Sequence, residues 1–200
     1  MQSHRAKAVD ERHSLAPTGL KNDAAAIAQA TVVPAPEPSE PFRRYTVGLG
    51  ANLGDRLSSL KAAIVALGPI VLEGSLRQSS WWASEAIDGP GPGYVNAVIE
   101  FTSDLGPRRM LEFLHSIEAN FGRKRSTPNA ARTLDLDILL ADDLRLEEAD
   151  LQIPHPRMHQ RAFVLRPLLE LDPQREIPGL GPAAMWLAGC SQQLCVRLET

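Results

Sequence analysis

Asp135 and Asp137 are the residues whose types and spacing most directly suggest chemistry. Arg132-Thr133-Leu134-Asp135-Leu136-Asp137-Ile138-Leu139-Leu140 reads as a strand. Successive strand side chains point to opposite faces, so the two aspartates share one face while Leu134, Leu136 and Ile138 bury themselves on the other. Unpaired carboxylates in an apolar core cost several kcal/mol each, so this pair must face water, arginines or a metal. Mg²⁺ commonly takes one or two carboxylates plus substrate phosphates. A solvated acidic face, or one bridged to arginines, has the same spacing. The neighbourhood favours the metal. Arg123, Lys124 and Arg125 open the preceding loop and Arg132 closes it. Arg157 and Arg161 flank His159, and His155 stands between Pro154 and Pro156. Phosphoryl transfer from a nucleotide needs this combination, with cations bridging phosphate oxygens and guanidinium groups taking up charge on the group in flight. Any one of these arginines reads as a solvated surface charge; the cluster, in a chain of formal net charge −3, is harder to read that way.

Tyr94-Val95-Asn96 is a second constellation. Strand alternation puts Tyr94 and Asn96 on one face and sends Val95, Ala97, Ile99 and Phe101 to the core. An aromatic plane beside a carboxamide can read the edge of a flat heterocycle; a strand-start tyrosine with an asparagine at a bulge is the plainer alternative. Phe163, in Arg161-Ala162-Phe163, is either a second aromatic wall or a core residue of the last major helix. The glycine-rich segment Gly48-Leu49-Gly50-Ala51-Asn52-Leu53-Gly54-Asp55 fails as a nucleotide loop. A dinucleotide fingerprint needs glycine where Leu53 stands, and a P-loop does not end in Gly-Asp-Arg. It reads as a strand-to-helix connection.

The elements that must position these groups follow from periodicity. Tyr45, Val47 and Leu49 alternate with Thr46, Gly48 and Gly50 as a first strand. Asp55 caps a helix whose apolar face is Leu57, Leu60, Ile64 and Leu67, closed by Gly68. Residues 70–80 read as a second strand, 83–93 as a loop, and 94–102 as a third strand. Asp104 to Pro107 open a helix with the stripe Met110, Leu114, Ile117 and Phe121, stopped by Gly122. A polar loop at 123–131 precedes the acidic strand at 134–141, and a short strand is expected at 144–147. Helices are expected at about 161–171 and 181–189. The order strand-helix-strand-strand-helix-strand predicts an α+β fold: a ferredoxin-like βαββαβ core with an antiparallel-rich sheet, helices on one face and extra C-terminal elements.

Composition sets outer limits. Two hundred residues at 44% hydrophobic and 22% charged suit one globular core, and no apolar run reaches the ~18 residues a membrane helix needs. A net negative charge with 5% aromatics gives no general pull toward nucleic acid. Residues 1–42 are expected to be a disordered tail ending in the stiff linker Pro34-Ala35-Pro36-Glu37-Pro38-Ser39-Glu40-Pro41, with one domain over 43–200. Residues 24–33 are too weakly apolar, and follow too many acidic groups, for a secretory signal to be preferred. Cys190 and Cys195 read as reduced thiols of a cytoplasmic protein.

Several segments together resemble hydroxymethyldihydropterin pyrophosphokinase of folate biosynthesis. They are Gly48 to Asp55, Tyr94-Val95-Asn96-Ala97, Ile117-Glu118 through Gly122-Arg123, Arg132 to Asp137, and Ile153-Pro154-His155-Pro156-Arg157-Met158 through Arg161-Ala162-Phe163-Val164-Leu165. They stand in the family's order over about residues 44–175. The resemblance implies transfer of pyrophosphate from MgATP to the hydroxymethyl group of a reduced pterin, by a monomer acting on small molecules without nucleic acid or membrane. It implies Asp135 and Asp137 as ligands of two Mg²⁺ ions and Arg123 and Arg132 as the loop arginines on the phosphates. His155 and Arg161 correspond to ATP-phosphate contacts, and Glu118, Arg125 and Ile138 to nucleotide-site positions. Tyr94 and Phe163 would sandwich the pterin, with Asn96, Ser84 and Ile87 on its edge, and loops 83–93 and 123–131 would serve as lids.

The chain departs from the family before Arg132, where Asn129-Ala130-Ala131 replace a tryptophan, glycine and proline and Pro128 replaces a basic residue. It also diverges between Trp82 and Tyr94. A non-catalytic ferredoxin-like binding module, or another Mg-dependent phosphotransferase on the same scaffold, are the competing expectations. The first predicts that Asp135→Ala changes stability more than metal affinity; the second predicts ADP as product.

Overall fold

A computed structural model describes residues 41–86, 92–122 and 133–199. The expected tail up to residue 40, Ile87 with the rest of 87–91, the whole expected lid loop 123–131 with Arg123 and Arg125, and Arg132 lie outside the described residues.

Strand β1 (Arg43–Ala51) turns Tyr45, Val47 and Leu49 inward, each at most 3% exposed. Gly54, at φ 61, lets the chain turn into α1 (Arg56–Ala66). The Asp55 carboxylate caps that helix, accepting from the Ser58 N–H at 3.1 Å and its hydroxyl at 2.7 Å. Such a cap contributes about 1 kcal/mol. The fully buried Leu60 contributes about 1.5–3 kcal/mol, so packing decides where this helix sits. Next come β2 (Arg77–Gln78), β3 (Trp82–Ser84), β4 (Tyr94–Ser103) and α2 (Pro107–Asn120), with proline in its first turn and Gly122 at φ 78 beyond its end. Strand β5 (Asp135–Ala141) follows, then the hairpin β6 (Leu146–Glu147) and β7 (Gln152–Ile153). Helix α3 (Ala162–Leu171), the small hairpin β8 (Glu176–Ile177) and β9 (Gly181–Pro182), α4 (Ala183–Leu187) and β10 (Cys195–Arg197) complete the chain.

The main sheet runs β10-β3-β4-β1-β5, antiparallel at every pairing, with β2 also on β4. Its four central strands take the ferredoxin-like order. Leu60, Ala63 and Leu67 near α1 and Met110, Leu114 and Ile117 of α2 bury one face in a common core with Val47, Leu49, Ile99 and Leu136. The C-terminal elements cover part of the other face, where Val164, Leu165 and Leu168 of α3 pack with Val98, Leu139 and Leu140. A register shift makes this possible: Val47 pairs with Ile138 but Thr46 with Leu140, so the irregularity brings Leu139 and Leu140 into the same second core. Glu100, 2% exposed, binds both Arg77 and Arg175 and so ties the C-terminal segment to the sheet.

Three expected elements differ. The strand at 70–80 is a 3-10 turn (Gly68–Ile70), then β2, then β3. Ser79 interrupts the run because its hydroxyl accepts the Val98 N–H at 3.0 Å, taking the place of a ladder carbonyl. Ala83 and Ser84, expected in a loop, are strand because they lie between β4 and β10 and pair with both. The last helix begins only at Ala183, since Gly181 at φ 77 and Pro182 belong to β9. Among the described residues no helix is long and apolar enough to cross a membrane.

Candidate active site

The sheet gathers the acidic pair and the ring-reading pair on one face. Asp135 pairs with Gly50 and Asp137 with Gly48, while Leu136 and Ile138 point into the helix-side core. Gly50 pairs on its other side with Asn96, and Asn96 with Trp82. A single row therefore crosses four strands as Asp135, Gly50, Asn96, Trp82. At ~4.8 Å per strand, Asp135 and Asn96 lie ~10 Å apart.

Gly50 is what joins the two halves. A Cβ there would stand 3.3 Å from Asn96 Oδ1, 3.8 Å from Tyr94 Cδ1 and 4.0 Å from Asp135 Cβ. Alternation by itself makes the glycines of β1 no more than partners of the apolar residues between them. A further signal lies in their type, because glycine inside a strand marks places of close approach.

Asp135 and Asp137 are half-buried, and His155 approaches Asp137 with Nε2 3.9 Å from Oδ2. His155 Nδ1 accepts the Arg157 N–H at 3.1 Å, so a neutral ring carries its proton on Nε2, toward the carboxylate. Burial first, then the Arg161 and Arg157 charges, push this imidazole from 6.5 to about 4. It is neutral at pH 7, a donor and not a third charge. Because the folded state binds this proton more weakly than the unfolded chain, its stabilising contribution is complete above 6.5 and is lost as pH falls toward about 4. Urea unfolding at pH 7 and pH 4 should show wild type losing ~2 kcal/mol more than His155→Asn, a discounted figure for a partly solvated ring. Parallel losses in the two proteins would remove this assignment.

The donor set fits Mg²⁺. Asp135 and Asp137 offer the hard oxygens of two strand carboxylates beside a floor of glycine. Two carboxylates awaiting substrate oxygens is the form Mg²⁺ sites usually take.

At the other end of the row, Asn96 is 3% exposed and donates from Nδ2 to Ser84 Oγ at 3.0 Å and, more weakly, to the Trp82 carbonyl at 3.4 Å. Ser84 pairs with Tyr94 across β3 and β4. A cavity of about 250 Å³ opens beside them, with Ser84 and Ala86 on one side, Ala162 and Phe163 at the start of α3, and Gln193 and Leu194 closing it. Its size is near the lower end of small-ligand pockets, about 300–1,000 Å³. The Arg161 guanidinium carbon sits 5.4 Å from the Phe163 ring centroid. Phe163 is thus a cavity wall as well as a neighbour of the second core. Gln193 and Leu194 carry no sequence signal, since a lone polar residue near a chain end has no periodicity.

Two expected nucleotide positions are buried. Ile138, 4% exposed, points into the helix-side core, leaving only its backbone for a ligand. Glu118, 1% exposed on α2, accepts the Leu136 N–H at 2.8 Å. It therefore holds the peptide segment between the two aspartates. Arg123, Arg125, Arg132 and Ile87 lie outside the described residues.

The model of the 7,8-dihydro-6-hydroxymethylpterin-pyrophosphokinase (HPPK) family matches residues 46–173. The 2-amino-4-hydroxy-6-hydroxymethyldihydropteridine pyrophosphokinase of Synechocystis sp. is 41% identical over 141 residues, which are 70% of this chain and 72% of that one. The protein of that name from Pseudomonas aeruginosa is 35% identical over 159 residues, 78% of this chain and 98% of its own. Among solved structures, HPPK-DHPS of Plasmodium falciparum with pterin and p-hydrobenzoate superposes with a TM-score of 0.58 at 14% identity. It covers 76% of this chain, which spans only 45% of that one, and shows the likeness of fold.

Proposed function

This chain belongs to the 7,8-dihydro-6-hydroxymethylpterin-pyrophosphokinase family, and from that premise we propose that it transfers pyrophosphate from ATP to 6-hydroxymethyl-7,8-dihydropterin for folate synthesis across the row Asp135, Gly50, Asn96. The observation that carries this reading is the shared face. Acidic groups suited to phosphate-bound cations and an aromatic-carboxamide pair suited to a flat heterocycle lie on one face of one sheet, on β5 and β4 with only β1 between them.

In the reaction the pterin hydroxyl oxygen bonds to the β-phosphorus, the bond from that phosphorus to the oxygen it shares with the α-phosphate breaks, and AMP leaves. The hydroxyl proton passes to solvent or a phosphate oxygen. Mg²⁺ ions, two in this reading, would be held by Asp135 and Asp137 and would neutralise phosphate charge. Asn96, with Ser84, Tyr94, Phe163 and Ile87, orients the pterin so that its hydroxymethyl group points along the row. His155 offers a neutral N–H, and Arg161 a permanent charge, toward the phosphates. Arg123, Arg132 and Arg125, which lie outside the described residues, would supply further charge to the phosphates. Alignment and charge neutralisation supply the rate, and no covalent enzyme intermediate is needed.

The free thiols Cys190 and Cys195, both buried, support a reducing, cytoplasmic setting. Incubation with ATP, Mg²⁺ and the reduced pterin, resolved by ³¹P NMR, is expected to give AMP and a pterin diphosphate. ADP, or no nucleotide product from folded protein, would contradict the reading.

A further inference from the structure

Gln193 lies beyond the stretch that the family model matches, yet it lines the cavity that Phe163 walls. Its Oε1 accepts the Ala162 N–H at 2.8 Å, and its Nε2 donates to the Gln160 carbonyl at 2.7 Å. Those two backbone groups flank Arg161 on either side.

The first N–H groups of a helix have no carbonyl partner within it. Arg161 occupies the N-cap of α3 at φ −126 and ψ 111, and its side chain makes no capping hydrogen bond. Gln193 supplies from a distant part of the chain what a local serine or aspartate supplies at other helices. It also uses both ends of its carboxamide, which restrains the backbone in direction as well as position. Arg161 and Phe163 move with that backbone, and they are already in contact through guanidinium and ring.

The segment that carries Gln193 is itself anchored. Cys195 of β10 pairs with Ser84 of β3, on the opposite wall of the cavity that Gln193 and Phe163 line. One short stretch thus fastens both walls to each other.

We infer that Gln193 is a positioning residue that sets the backbone on both sides of Arg161, and through it the placement of Arg161 and Phe163; this rests on reading those two as phosphate and pterin contacts. The test is a double-mutant cycle with Gln193→Ala and Arg161→Ala, read as kcat/KM for AMP formation alongside Tm. Gln193→Ala should lower kcat/KM about 10-fold in the wild-type background, and by a clearly smaller factor when Arg161 is already absent, the remainder being the share that acts through Phe163. Equal factors in both backgrounds, or no loss at all, would overturn the inference, because a residue acting only on global stability multiplies through unchanged. Amide exchange at Ala162 reads the contact independently of turnover. It should accelerate in Gln193→Ala while later α3 amides keep their protection, and unchanged exchange would also overturn the inference. Wild-type protein that forms no AMP would defeat the functional reading, while the exchange result would still judge Gln193.

Discussion

Asp135→Ala is expected to fold normally and to lose about 10³-fold in the rate of AMP formation, the scale seen when a preorganised charged group is removed from a reacting centre. Its side chain is half-buried on β5, and the apolar contacts that hold the strand come from Leu136 and Ile138 on the other face. Truncation leaves no cavity in that core. What it removes is one of the two carboxylates available to cations on the triphosphate. Asp137→Ala should behave alike, with the added loss of the group 3.9 Å from His155 Nε2. Calorimetric titration with Mg²⁺ and a non-hydrolysable ATP analogue, beside thermal melts, separates the cases. Preserved Mg²⁺-nucleotide affinity with a lowered Tm would assign the pair a structural role and favour the non-catalytic binding module.

Legibility from sequence followed the physics of each element. β1, β4 and β5 declare themselves because a two-residue period meets the helix-side core, as Val47, Ile99 and Leu136 show, although Val98, Leu139 and Leu140 are buried on the other face as well. Hence the same-face placement of Asp135 and Asp137 follows from alternation alone. Strand β3 is short, and what makes Ala83 and Ser84 extended is β4 on one side and β10 on the other, the latter a pairing between distant residues that no local pattern records. The stretch before it looks apolar enough for a strand, yet Gly74 at φ 74 and the Ser79 hydroxyl, by replacing a ladder bond, break it. Glu118 shows a different limit. A glutamate on a helix beside the apolar Ile117 reads as exposed or ligand-facing; that its carboxylate serves the Leu136 N–H depends on how α2 packs over β5. Gln193 is the extreme instance, where two hydrogen bonds join positions about thirty residues apart with no motif at either end.

Gly50→Val should cost about 10²-fold in kcat/KM while the fold survives, the loss expected when reacting groups are displaced by ~1 Å. Local propensity favours this substitution: Gly50 has ordinary strand backbone, and valine is among the best strand formers. Opposition comes only from what surrounds the new side chain. Its Cβ alone would lie 3.3 Å from Asn96 Oδ1, tighter than ordinary contact, with Tyr94 and Asp135 next. The two methyl groups beyond it are held by a stiff χ1, so at least one of those three neighbours must move. Overpacking of this kind costs about 1–3 kcal/mol, too little to unfold a typical domain. Gly48→Ala is the control, since the atoms nearest a Cβ there all belong to the Leu139 side chain, from 3.4 Å. It should leave kcat/KM far closer to wild type, although Gly48 pairs with Asp137 as Gly50 pairs with Asp135. Steady-state kinetics with both substrates decide the matter. Wild-type turnover in Gly50→Val would mean that the missing Cβ does not join the acidic end of the row to the carboxamide end, and equal losses in both variants would mean that β1 matters only as a strand.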